Sequence, residues 1–415
     1  MNMSKRAAEQ PEAQSTASFW QRTRLVLILG ALSTFGALSI DMYLPALPQL
    51  ARDFGASASS IQLTLSACLI GLALGQVVAG PLSDTYGRRR PLLIGVSVYA
   101  AASLACAVAP SVLLLTILRC VQGLAGAAGI VIARAIVRDL YAGAAAARFF
   151  SWLMVVSGLA PILAPILGGQ VLQVTSWRSV FLILFVIGLL LLVLAALGLT
   201  ETLPSEVRQT GGLRATRTTF RRLLADLAFV GYAGAGGFAF AAMFAYISGS
   251  SFVLQEIYDV SPQGYSIIFG INAFGLMAAS QVNGWLVSRV SPQRLLIGGL
   301  TAMACGGAAQ LAVIAAGSLG LGGVTIALSL VVVSLGFVMP NATTLALSGH
   351  PRTAGSASAL LGVLQFAVGA AAAPLVGLGS RSAMPMAIVI AVCGVSALAV
   401  GVLIAQRAAV EPLAN

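Results

Sequence analysis

The sequence predicts an all-α membrane protein of twelve transmembrane helices arranged as two six-helix bundles. Three observations carry this expectation. Of 415 residues, 59% are hydrophobic and 8% charged, against roughly 25% charged in a soluble globular domain. A helix needs about 20 apolar residues to cross about 30 Å of hydrocarbon, and about 35 with its turn, so the chain has room for about twelve crossings. One long polar stretch, ETLPSEVRQTGGLRATRTTFRR, divides the apolar runs into equal sets. The 45 glycines and 16 prolines fit the same class, because membrane helices tolerate both and use glycine for close backbone contact.

Apolar runs closed by charge or turn residues place helices at 25–49, 62–83, 91–109, 112–137, 147–172 and 179–200 in the first half. The second half has them at 226–250, 262–287, 294–316, 319–345, 355–379 and 384–406. The bundles therefore occupy 25–200 and 226–406, with tails over 1–24 and 407–415 and a linker over 201–225. Residues 1–24 are polar, and the run from Leu25 is too long for a leader and has no A-x-A exit, so it reads as a span. The linker reads as a topology-setting loop, with a short surface helix carrying Arg217, Arg221 and Arg222 as the alternative.

Basic residues set the orientation. With the amino terminus cytoplasmic, 18 of the 23 lysines and arginines fall at inner ends. Arg52, Arg178 and Arg381 fall outside, and Arg119 and Arg134 lie within helices. Both termini are thus expected inside. The net charge of +11 is spread over short gaps between spans, which argues against a nucleic-acid surface.

Cys68, Cys106, Cys120, Cys305 and Cys393 sit in apolar runs without ligand spacing and read as small buried hydrophobes. The single histidine, His350, lies in a polar turn and HExxH is missing, so no metal site is expected. An internal echo aligns GPLSDTYGRRRPLLIG (80–95) with GWLVSRVSPQRLLIG (284–298), an offset of about 204 that fits a transporter of two parallel six-helix repeats.

The motifs themselves resemble a family. GPLSDTYGRRRP, with Gly80, Asp84, Gly87, Arg88 and Arg89, is similar to the signature between helices 2 and 3 of major facilitator superfamily transporters. LTILRCVQGLAGAA carries Arg119, Gln122, Gly123 and Gly126 in the RxxQG pattern. SGLAPILAPILGG matches the antiporter motif through Gly158, Pro161, Pro165, Gly168 and Gly169. With SIDMYLPALPQL and ARAIVRDLY, the chain resembles the Bcr/CflA drug-resistance subfamily of drug:proton antiporters from about residue 30 to 405.

Asp41 is the only carboxylate well inside an expected span, roughly 24 Å along helix 1. Ionised and unpaired there it costs a few kcal/mol, which suits it to carry a proton between dry and wet states of a site. The alternative is a structural aspartate capping the break before Pro45. Arg119 is expected to face the bundle interior and find a partner, and Gln122, three residues on, extends that polar face. The resemblance implies proton coupling, with Arg119 biasing Asp41 toward release or contacting substrate. A structural arginine bonded to backbone carbonyls is the other reading.

Asp84, with Arg88 and Arg89, is expected to act as a gate. It would face the amino end of helix 11 near Gly355 and Ser356, or pair with Arg138. Pro161 and Pro165 remove helix hydrogen bonds while Gly158, Gly168 and Gly169 admit a close backbone, so helix 5 should be bent and tightly packed. The resemblance implies a seal against proton leak. Preferred substrate contacts are Gln122, Met154, Phe244, Tyr246, Asn272, Gln365 and Phe366, since aromatic, Met and amide groups accept amphipathic molecules loosely. The other polar residues in spans, Gln76, Arg134, Gln281, Asn283, Gln310 and Asn341, are expected to stitch helices together.

The expected function is proton-driven export of small amphipathic antimicrobials, chloramphenicol- or bicyclomycin-like, across a bacterial inner membrane by alternating access. No enzyme activity and no cofactor beyond the proton gradient is expected, since no catalytic histidine cluster, Ser/Lys pair or GxxxxGK[ST] is present. The expected partners are a small-molecule drug, protons and membrane lipid, and the expected state is a monomer. Export of an endogenous metabolite or passive facilitation remain alternatives. Ser33 stands where some related exporters carry a second acid, which favours a neutral or zwitterionic drug.

Overall fold

The computed structural model describes residues 19–141, 143–208, 213–317, 319–350, 353–378 and 382–410. In the first half the helices are α1 (Phe19–Ser33), α2 (Phe35–Asp41), α3 (Leu47–Phe54), α4 (Ala58–Tyr86), α5 (Arg89–Ala107), α6 (Val112–Leu140), α7 (Gly143–Val174) and α8 (Trp177–Gly198). After α9 (Leu213–Ala225) come α10 (Leu227–Phe252), α11 (Pro262–Leu286), α12 (Pro292–Ala316), α13 (Gly320–Ser348), α14 (Ala354–Val376) and α15 (Met384–Val410). Among the described residues eleven helices are long and apolar enough to cross a membrane, and a bent pair, Arg24–Ser33 with Phe35–Phe54, makes twelve when counted as one span.

Local chemistry explains where spans begin. Ser57, Ser111 and Ser261 accept the N–H groups of Ser60, Leu114 and Gly264, and Asp226 accepts those of Ala228 and Phe229. Each side chain satisfies a donor the first helical turn leaves open. Pro262 at the first position of α11 is preset for helix and has no N–H to waste. Gly55 and Gly317 end α3 and α12 in the left-handed conformation.

Inside each half, glycine sets the spacing. A Cβ added at Gly71 on α4 would run into the Cys120 carbonyl oxygen of α6, and one at Gly123 on α6 into the Cys68 carbonyl of α4. In the second half a Cβ at Gly336 on α13 would come within 2.7 Å of the Leu276 carbonyl oxygen of α11. Such contact is how membrane helices gain packing energy where lipid is as apolar as leucine. The opposite faces present exposed Leu113, Leu197 and Ile326, as a lipid-facing surface requires.

Three expectations are corrected. Helix 1 is not one rod over 25–49: it breaks at Thr34, whose hydroxyl bonds the Ala31 carbonyl, and again before the 3₁₀ turn Leu44–Ala46, bending 46°. The linker is not a plain loop, because it holds α9, whose Leu223 is 1% exposed and packs with α10 and α14. Of the cysteines only Cys68 and Cys106 are buried, while Cys120 and Cys393 are half-buried and Cys305 is exposed.

The two bundles meet mainly through α4 with α14 and α7 with α11. We call the end carrying Arg88, Gly198 and Asp226 the terminal face and the opposite end the distal face. Ser59, Gln62 and Ser66 donate to the carbonyls of Pro374, Ser248 and Ala370, at 3.0, 3.1 and 2.8 Å. Ser251, Gln255 and Gln263 donate to those of Leu44, Pro45 and Gly169, at 2.6, 3.3 and 2.9 Å. Arg52 and Glu256 add an exposed ion pair at 3.5 Å. Between described residues, no hydrogen bond joins the halves nearer the terminal face than these, so they form a distal seam.

Candidate functional site

The break in the first span positions Asp41. It is the last residue of α2, 6% exposed, and no described residue gives it a hydrogen bond or ion pair. It lies within electrostatic reach of Tyr246 on α10 and Tyr265 on α11, both in the other half. The Tyr246 hydroxyl accepts from Asn272 Nδ2 at 3.0 Å, and Asn272 Oδ1 accepts from Ser329 at 2.6 Å. Tyr246 also stacks on Phe269, with centroids 5.4 Å apart. The sequence-selected Tyr246 and Asn272 are thus one unit, and Ser329, Phe269 and Tyr265 complete it. A Ser, a Phe and a Tyr in apolar runs carry no sequence signal of their own.

Arg119 occupies a separate place. It is fully buried between the rings of Tyr43 and Phe181, 4.9 and 5.6 Å from their centroids, and donates to Gln122 Oε1 at 2.5 Å. Gln122 passes the chain to Ser103 at 2.7 Å. Arg119 Nε and Nη2 are buried without partners. Its charge acts on Tyr43, Tyr99, Cys68 and Cys106, and Asp41 is not among them. The resemblance has Arg119 bias Asp41 or contact substrate; in the structure no hydrogen bond or ion pair joins Arg119 to Asp41. Aromatic faces hold the cation instead, each worth about 0.5–2 kcal/mol.

The other candidates fall into two groups. Phe240 stacks on Phe244 at 5.7 Å and meets Phe366 edge-on at 5.4 Å. It joins two selected residues, and half-buried Gln365 adjoins them on α14. Met154 lies on α7 with its side chain outside the described residues. The antiporter-motif residues line contacts of α7. Gly168 abuts the Met42 backbone, Gly169 abuts Ser266 and Pro262 of α11, and Gly158 faces Met277 of α11. The helix runs on through Pro161 and Pro165.

The terminal-face charges pair differently from expectation. Asp84 bonds Arg88 at 2.5 Å, and Arg88 Nε bonds Asp139 at 2.8 Å. Among the described residues neither Arg138 nor Ser356 partners Asp84, whose carboxylate is taken by Arg88. Gly355 is described by its backbone alone. Asp139 was missed because an acid beside Arg138 at a span end is unremarkable. Glu201 accepts the N–H groups of Arg88, Arg89 and Leu203, while Arg89 donates to the Leu199 and Ala196 carbonyls. Burial alone would raise the Glu201 carboxyl, but those N–H groups, helped by Arg208, hold it below its ordinary value.

Two helical bundles with membrane-length spans, joined along a seam beside a buried carboxylate, define a secondary-transporter architecture. The chain belongs to the Major Facilitator Superfamily, whose sequence profile matches residues 27–374. It is 42% identical to the uncharacterized MFS-type transporter YdgK of Bacillus subtilis over 378 residues, 90% of this chain and 94% of that one. It is 32% identical to the bicyclomycin resistance protein homolog of Haemophilus influenzae, covering 89% and 92%. Among solved structures, a bacterial homolog of the human lysosomal transporter Spinster, inward-facing and occupied, superposes with a TM-score of 0.76 at 14% identity, covering 93% and 97%. The protein is a multi-pass membrane transport protein rather than an enzyme.

Proposed function

We propose that the protein is a proton-coupled exporter of small amphipathic antimicrobials, of the Bcr/CflA drug-resistance type, working by alternating access. The observation that carries this reading is Asp41: a buried carboxylate with no partner among the described residues, at a break in the first span and within electrostatic reach of Tyr246 and Tyr265 of the other half. A proton taken up there changes what one half presents to the other. Tyr246, Asn272 and the Phe240–Phe244–Phe366 cluster offer the drug stacking surface and a few hydrogen bonds. Relatives bearing the names bicyclomycin resistance protein homolog and chloramphenicol resistance protein support the substrate class.

Both termini are taken as cytoplasmic in a bacterial inner membrane, with the protein a monomer. The closed distal seam then faces the periplasm, and the site loads from the cytoplasm. The five motif residues of α7, of which Gly158 and Gly169 face α11, keep that seam dry while the proton moves.

The test is transport by purified protein in proteoliposomes with an imposed pH gradient and a panel of amphenicols, bicyclomycin-like compounds and organic cations. Drug flux should follow the gradient and vanish for folded Asp41→Asn, with passive exchange retained. Flux indifferent to the gradient in the wild type would return the chain to the passive facilitator reading.

A further inference from the structure

Beside the gate residues, the terminal face holds a cavity of about 230 Å³ lined by Tyr86, Arg89, Arg90, Glu201 and Arg208. That is far above the ~10–15 Å³ needed by one water. It lies where the α4–α5 turn meets the start of the linker.

Its charge is unbalanced. Three guanidinium groups face one carboxylate, and Glu201 is already engaged by the backbone N–H groups of Arg88, Arg89 and Leu203. Arg89 is anchored on the carbonyls of Leu199 and Ala196, which fixes its position. Arg90 is exposed and has no partner among the described residues. Arg208 makes one long bond, 3.4 Å from Nη2 to the Leu203 carbonyl, and its Nε is buried without a partner. The amino end of α5 is not the attraction, because Glu201 already satisfies it.

Gly87 makes the enclosure possible. With φ of 88° it turns the chain into α5, and a Cβ there would run into the Glu201 carboxylate and come within 2.9 Å of Arg208 Nη2. Exposed Tyr86, the last residue of the spanning helix α4, forms the rim, and aromatic residues at span ends favour lipid headgroups.

We propose that this cavity binds a phosphate group, either that of an anionic phospholipid headgroup or that of free phosphate. Arginine forks match phosphate oxygens with paired hydrogen bonds, and basic pockets between transmembrane helices take lipid phosphates. Arg90 and the unpartnered edge of Arg208 make the contact, while Arg89 supplies a fixed charge. The binding is independent of the transport reading, since neither arginine touches Asp41 or the aromatic cluster.

The test uses full-length protein, delipidated in neutral detergent and then exchanged into nanodiscs of phosphatidylcholine with and without phosphatidylglycerol. Retained lipid is counted by native mass spectrometry, and inorganic phosphate is titrated separately by calorimetry. The wild type should retain phosphatidylglycerol that the R90A/R208A double variant loses by about tenfold, with the melting temperature of the variant unchanged. R221A/R222A, which removes two exposed arginines of α9, should retain as much as wild type. Lipid retained despite inorganic phosphate, with no phosphate binding alone, identifies the headgroup as the source. Displacement by phosphate, with saturable heat that R90A/R208A abolishes, identifies free phosphate. Equal retention by R90A/R208A, or equal loss in R221A/R222A, overturns the proposal.

Discussion

Removing the Ser66 hydroxyl should loosen the distal seam, and the reason lies in the proline opposite. Ser66 donates to the Ala370 carbonyl at 2.8 Å, four residues before Pro374, which has no N–H to complete that helical bond. Ser251 likewise donates across the seam, to the Leu44 carbonyl at 2.6 Å, which also accepts the Leu47 N–H. Both hydroxyls are buried. In Ser66→Ala the carbonyl stays buried without that donor, a cost of about 1–3 kcal/mol. Only the closed seam bears it, because an open seam gives the carbonyl to water. The closed-to-open equilibrium should therefore shift by about 5- to 150-fold. Spin labels at exposed Val108 and Leu319, on distal ends of opposite halves, report the separation by pulsed EPR in nanodiscs. Pro374→Ala returns an N–H to the Ala370 carbonyl, so Ser66→Ala should cost less in that background. An unchanged distance distribution in Ser66→Ala, or the same shift in both backgrounds, would refute the argument.

Three further outcomes are expected. Gly71→Ala forces α4 off the Cys120 carbonyl and should lower stability by about 1–3 kcal/mol, whereas Gly284→Ala, which meets open space, should stay within about 0.5 kcal/mol; melting in detergent compares them. Glu201 is held below its ordinary value, so its contribution is present above about pH 4.3 and is lost as pH falls through the depressed value. Glu201→Gln should accordingly melt below wild type at neutral pH, with the gap closing in acid; a gap independent of pH would count against the N–H cradle. Tyr246→Phe removes the hydroxyl that bonds Asn272 beside Asp41, and should shift the pH profile of drug binding without abolishing it. An identical profile would separate Tyr246 from coupling.

What the sequence revealed follows from what each signal depends on. Span positions were readable because twenty consecutive apolar residues have few other uses, and α5, α6 and α11 begin within two residues of expectation. Helix 1 was misread because its apolar run continues through Thr34, Pro45 and Pro48, which hydropathy does not register. The amphipathic spacing of Leu213, Phe220, Leu223 and Leu224 in the linker was available, but its charges masked it. Asp41 and Arg119 stood out because charge inside a membrane is rare. Their surroundings did not, since only packing decides that Arg119 sits between Tyr43 and Phe181 while Asp41 lies within electrostatic reach of Tyr246. Ser66 was invisible for the same reason: Pro374 shows that the Ala370 carbonyl lacks its helical donor, not which side chain fills the gap.

The site and the seam are built from the same two segments. Asp41 lies three residues before Leu44, whose carbonyl Ser251 grips, and Tyr246 lies five residues before Ser251 on α10. Opening the seam at Ser251 therefore draws α10 from the break in helix 1 and changes the distance between Asp41 and Tyr246. The same holds in reverse: a change in charge at Asp41 alters the force across the gap one turn from the Ser251 bond. Under the proposed function, the short backbone segment from Asp41 to Leu44 is what would link proton occupancy to distal closure. Arg119, packed wholly within the first half, moves with Asp41 as part of that half. On this reasoning, a variant that loosens the Ser251–Leu44 bond should disturb proton coupling more than one that loosens Ser66–Ala370, because only the former borders the carboxylate.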